Sequence, residues 1–227
     1  MLVSVIPNAY TKTVEATYRI SKPGGFNALD NGTYGVRLRA NEVADISGNY
    51  VAGGERIGTF QIKIPVPAVT ANLASVGQVV QTTTSLTFQV TYNSAYELDM
   101  ASIIGNNHAI RVVGPNNFSA LATYVSIDNP TPGASRTVTY RINAPGGTWD
   151  FSDNGTYTIS IAANNGIRNI AGGTLAAASL GTFSVSVSAT TLEGSTLRIV
   201  GTDSSDTIEL VMLNGTDSNP SNYIIQV

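Results

Sequence analysis

The chain has no cysteine, which excludes disulfides, thiolate metal sites and thiol nucleophiles. It has a single histidine. That residue, His108, lies in the polar stretch Gly105-Asn106-Asn107-His108-Ala109 with no nucleophile or acid placed beside it in sequence, and a hydrolytic triad needs all three groups. Charge is scarce as well, at 12% of residues against about 25% in ordinary domains. A net charge of −3 with scattered Lys and Arg leaves no basic stripe for nucleic acid and no cationic amphipathic helix for a membrane surface. No window approaches the roughly 18 apolar residues of a membrane span. Met1 to Pro7 has neither the basic region nor the apolar length of a signal peptide, so any export signal is expected to lie outside this chain. The glycine pairs Gly24-Gly25, Gly53-Gly54, Gly146-Gly147 and Gly172-Gly173 precede no helical pattern, so no helix terminus is present to cradle a phosphate.

What is present is apolar and alternating. Hydrophobic residues make up 42% of the chain, enough to exclude wholesale disorder, and Thr, Ser, Asn and Gly are left to cover the surface. Leu86, Phe88 and Val90 alternate with polar neighbours. So do Ile110 and Val112; Val138, Tyr140 and Ile142; Tyr157, Ile159 and Ile161; and Phe183, Val185 and Val187. With Ala122 to Ile127 and a weaker run near Thr70 to Val80, this predicts about seven strands, each facing a core on one side and water on the other. Helical periodicity is absent. An antiparallel β-sandwich is the expected fold.

Part of the chain is written twice. Leu2 to Ile64 reappears in Tyr124 to Val187: Tyr140 follows Tyr18 by 122 residues and Tyr157 follows Tyr34 by 123. A repeat this long is a small domain and exceeds a solenoid unit. The expected organisation is a partial sandwich over 1–66, holding the last four strands, a complete one over 67–188, and a C-terminal β segment over 189–227. The partial copy lacks counterparts of Leu86–Tyr92 and Ile110–Val113, so Tyr18, Ile20, Tyr34, Val36, Leu38, Phe60 and Ile62 are expected to form an apolar face with open edges. The segment is either a piece of a longer tandem array or is completed by strand donation. Leu197 to Val200, Ile208 to Met212 and Tyr223 to Gln226, from the same or a neighbouring molecule, are the candidate donors.

The tightest local match is Asp30-Asn31-Gly32-Thr33-Tyr34 with Asp153-Asn154-Gly155-Thr156-Tyr157. A tyrosine at such a corner anchors it through a phenol hydrogen bond to nearby backbone. Asn-Gly favours the positive φ of a turn, and the Asp can accept from turn amides. Asp30, Tyr34, Asp153 and Tyr157 are therefore read as structural tyrosine corners, with calcium ligation by the two aspartates as the alternative. Paired carboxylates can serve glycoside hydrolysis. Asp150 and Asp153, however, recur as Asn27 and Asp30, which favours structural duty. No catalytic residue is assigned.

Val113-Gly114-Pro115-Asn116-Asn117-Phe118-Ser119-Ala120-Leu121-Ala122, TYRINAPGGTWD (Thr139 to Asp150), DNGTYTISIAAN (Asp153 to Asn164) and GTFSV (Gly181 to Val185) together resemble the bacterial immunoglobulin/cadherin-like tandem repeats of large secreted or cell-surface proteins. The resemblance spans residues 2 to 187. It implies an all-β chain of immunoglobulin-like antiparallel β-sandwich repeats in tandem, extracellular or at the cell surface, acting as a non-catalytic structural or adhesive module. The implied partners are neighbouring repeats or strand-donating copies of the chain. The alternative is a carbohydrate-binding accessory module of an extracellular hydrolase, with Trp149 as the ligand-stacking candidate beside Tyr92, Tyr96 and Tyr124, although Phe26 in its place in the first copy favours core or edge packing for Trp149. Farther on, Gly201-Thr202-Asp203-Ser204-Ser205-Asp206-Thr207-Ile208 resembles the opening of haemolysin-type calcium repeats, which makes Asp203 and Asp206 the candidate metal ligands and Ca²⁺ the one candidate cofactor.

Overall fold

A computed structural model describes residues 2–6, 14–193, 196–199, 211–212 and 225–226. The chain forms two compact units, Met1–Val66 and Pro67–Val227. All paired strands are antiparallel. The helical pieces among the described residues are three-residue 3-10 turns.

In the first unit β1 (Leu2–Ile6) pairs with β2 (Glu15–Tyr18), and β3 (Gly32–Arg37) pairs with β4 (Arg56–Ile62), giving two two-stranded sheets. Two-stranded sheets have little to pack against and are marginal alone. Their large apolar side chains are correspondingly exposed, among them Tyr18, Tyr34, Val36 and Ile57.

In the second unit eight strands follow. They are β5 (Thr70–Val76), β6 (Ser85–Asn93), β7 (Ile110–Val113), β8 (Ser119–Leu121), β9 (Thr123–Ile127), β10 (Ser135–Asn143), β11 (Gly155–Ile161) and β12 (Ser179–Val185). One sheet runs β5-β6-β10-β9 and the other β12-β11-β7-β8. The inward residues of both contribute to one apolar core: Leu86, Phe88, Val90 and Tyr92 from β6, Val138, Tyr140 and Ile142 from β10, Ile110 and Val112 from β7, and Tyr157, Ile159 and Ile161 from β11. Burying each such side chain is worth about 1.5–3 kcal/mol. Register follows the pattern: Val90, Phe88 and Leu86 stand opposite Val138, Tyr140 and Ile142, the like-with-like cross-strand pairing that stabilises a sheet. The short strand β8 was not expected, since three residues cannot display an alternation.

Two long connections seal one end of this core. The β6–β7 connection carries the 3-10 turn Met100–Ser102 and lies against the β11–β12 connection. Leu98 bridges Asn169, the Asp99 amide donates to the Arg168 carbonyl at 3.0 Å, and the Ile170 amide donates to the Glu97 carbonyl at 2.9 Å. Beyond β12, β13 (Thr190–Glu193) pairs with β14 (Thr196–Ile199), and β15 (Val211–Met212) with β16 (Ile225–Gln226).

Candidate functional site

The duplicated corner forms in both units. The Tyr34 hydroxyl donates to the Asp30 carbonyl at 2.8 Å and the Tyr157 hydroxyl donates to the Asp153 carbonyl at 3.0 Å. Each is preceded by a 3-10 turn with a reciprocal cap. The Asn27 side chain accepts from the Leu29 amide while Asp30 accepts from the Asn27 amide; Asp150 accepts from the Ser152 amide while Asp153 accepts from the Asp150 amide. Asn31 and Asn154 then clamp the residues just after β4 and β12 through paired bonds to the backbone of Ile64 and Val187. These aspartates hold backbone donors. The turn geometry differs in one respect: Gly155 has φ +142°, whereas Gly32 needs no positive φ.

Asp30 also receives the Lys22 ammonium, at 2.6 and 2.7 Å. That contact, followed by the Asn27 amide, holds the Asp30 carboxyl below its usual value. Ala144 stands at the corresponding place in the second unit, so the ion pair belongs to the first unit.

Trp149 does not sit on a surface. Its side chain is fully buried, packed edge-on against Tyr157 at 5.4 Å and Phe183 at 6.4 Å, and its amide donates to the Thr83 carbonyl. This corrects its place as a ligand-stacking candidate, because no indole face reaches solvent. The physical reason is that the core needs an aromatic plug at this end. Among the described residues the Trp149 Nε1 is the single buried polar side-chain atom without a hydrogen-bond partner. Tyr92 is buried too, its hydroxyl 2.8 Å from that of Tyr140, and Tyr96 and Tyr124 are half-buried. The four rings form no platform. Burial pushes the Tyr140 and Tyr157 phenols up to about 12, and Tyr92 higher.

A cavity of about 470 Å³ is lined by residues of the β11–β12 connection, including Asn164, Arg168 and Thr174. Its cation, Arg168, pairs with Asp99 at 2.6 Å. His108 is exposed, and its amide closes a turn onto Asn106. Among the described residues no group of three His, Asp or Glu side chains is placed to hold a metal ion. Asp203 and Asp206 lie outside the described residues.

A second repeated feature emerges from the structure. In the first unit the Asp45 carboxylate accepts from the Ser47 and Asn49 amides at 2.8 and 2.9 Å. In the second, the Asn169 side-chain oxygen accepts from Ala171 and Gly173 at 3.1 and 2.8 Å. The surrounding backbone bonds match as well: Gly48 to Asp45 and Gly172 to Asn169, each 3.0 Å, and Val51 to Val43 and Leu175 to Ile167, at 2.8 and 3.0 Å. The signal was present in Asp45-Ile46-Ser47-Gly48 against Asn169-Ile170-Ala171-Gly172, but it occurs at a spacing of 124 and contains few identities.

Comparison with protein-family models, with curated proteins and with solved structures finds no match.

Proposed function

We propose that this chain is a non-catalytic structural or adhesive segment built from immunoglobulin-like sandwich repeats, belonging to a secreted or cell-surface protein. The observation that carries the reading is strand order. If the eight strands of the second unit are lettered as in an immunoglobulin-like sandwich, β5-β6-β10-β9 reads A-B-E-D and β12-β11-β7-β8 reads G-F-C-C′, the division of strands that defines such domains. The tandem reading rests on the first unit, whose β1–β2 and β3–β4 pairings correspond to the D–E and F–G pairs, with the tyrosine bond, the Asn clamp and the Asx turn at matching positions. An exposed surface rich in uncharged polar residues, with Asp30, Asp45, Asp99, Asp150 and Asp153 engaged as turn caps, suits scaffolding better than chemistry.

An antibody raised against residues 67–188 tests the location on which this function depends. It is expected to label intact cells of the producing organism. Labelling that appears only after the cells are opened would contradict the proposal.

A further inference from the structure

In the second unit β6 and β7 pair the edges of β10 and β11, and their apolar side chains, with Leu98 and Ile103 of the connection between them, share one core with those of β10, β11 and the connection that follows β11. Tyr140, Ile142, Tyr157, Ile159, Ile167 and Leu175 are each no more than 8% exposed there. Their counterparts in the first unit are Tyr18, Ile20, Tyr34, Val36, Val43 and Val51, which are 37–65% exposed. Large apolar side chains left this exposed at positions whose counterparts are core point to an interaction surface, and the same chain displays the kind of structure that completes such a core: strands with apolar residues at every second position.

The rim of this surface differs from its template in two linked ways. In the second unit the Asn169 side-chain amide donates to the Pro67 carbonyl and the Ser94 hydroxyl, both at 2.9 Å, so it fastens the residues leading into β5 and those leaving β6. Gly173 makes room for this, since a Cβ there would overlap the Pro67 carbonyl. In the first unit the corresponding residues are Asp45 and Asn49. A carboxylate has no proton to donate to a carbonyl, and the Asn49 side chain, donating to Asp45 at 2.8 Å, stands where the glycine gave clearance. Hydrogen bonds from Asn49 hold the Asp45 carboxyl below its usual value, which keeps it an anion at neutral pH.

We infer that the open face of the first unit is a receptor for a β-strand segment of a different polypeptide. This partner segment is apolar at alternate positions and places a Lys or Arg opposite Asp45, while Asp45 and Asn49 exclude segments with the lead-in found at residues 67–69 of this chain. Backbone pairing along the open strands supplies affinity and the alternate side chains supply selection. Asp45 works against the wrong partner as well as for the right one. The inference rests on the repeat reading above.

Two probes, each fused to a soluble carrier, test it against the full chain. The first is residues 67–122 unchanged; the second is residues 70–122 with Ser94→Lys, which removes the blocked lead-in and puts an ammonium opposite Asp45. The unaltered chain is expected to bind the second probe about tenfold more tightly than the first, the equivalent of one charge-assisted contact. The variant Asp45→Asn/Asn49→Gly is expected to reverse the order. Hydrogen exchange should show protection on binding in β2, β3 and residues 41–51, and Trp149 emission checks that the second unit of the variant is folded. The inference is overturned if neither probe binds, if both chains rank the probes alike, or if protection falls on the second unit. It is also overturned if sedimentation shows the chain alone to self-associate and hydrogen exchange shows the same amides protected in that assembly. A negative binding result leaves the intact-cell test of the repeat reading unaffected.

Discussion

Tyr157 and Tyr34 make the same hydrogen bond in different surroundings. The Tyr157 ring is fully buried, stacked on Phe183 at 4.9 Å and edge-on to Phe118 at 5.6 Å. Tyr34 is stacked on Phe60 at a similar 5.2 Å but is 38% exposed. Removing a phenol hydroxyl leaves a carbonyl without that donor, which is costly where water cannot replace it. Tyr157→Phe should therefore destabilise the second unit by about 1 kcal/mol, read as a lower midpoint in urea unfolding followed by Trp149 fluorescence. Tyr34→Phe should leave that transition unchanged and perturb the first unit little. Equal losses for the two substitutions would mean that the two corners are equally enclosed.

At the scale of elements, the two long connections of the second unit hold each other through Asn169. Its amide serves Pro67 and Ser94, and its oxygen serves two turn amides, and Asn169 itself is 1% exposed. Asn169→Asp places a carboxylate against the Pro67 carbonyl at that depth. An unpaired buried charge costs roughly 3 kcal/mol or more, so this substitution should destabilise the second unit far more than Asp45→Asn affects the first; paired thermal melts measure the difference. The strands themselves were readable in sequence, because Leu86-Phe88-Val90 and Tyr157-Ile159-Ile161 alternate cleanly and a half-buried strand requires that pattern. The corner was readable because it recurs. The Asx turn was not, because its function lies in side-chain bonds to residues 75 and 102 positions away, and local sequence carries no mark of such partners. Trp149 was ambiguous for a related reason: an aromatic ring can fill a core or meet a ligand, and the surrounding fold decides which.

For the whole molecule, three buried phenols set a limit on alkaline stability. Tyr140 and Tyr157 ionise near 12 in the folded chain, and Tyr92 above that, against about 10 when unfolded. Below pH 10 all are neutral in both states and the contribution is fully present. Between pH 10 and 12 the unfolded chain releases protons that the fold retains, so stability falls as pH rises through this window. Urea unfolding at a series of pH values should show a level midpoint up to about pH 10 and a steep fall above it. A midpoint that stays level to pH 12 would place these phenols in contact with water.

The second unit holds two four-stranded sheets around one core, whereas the described strands of the first form two-stranded pairs. Native-state hydrogen exchange on the full chain reads that difference directly, because protection reports how much structure must open before an amide meets water. Amides of β6, β10 and β11 are predicted to exchange only through unfolding of the second unit, with protection of the order of 5–15 kcal/mol, while those of β2 and β3 exchange through local opening at close to zero cost. Protection of β2 and β3 equal to that of β10 and β11 would contradict the account.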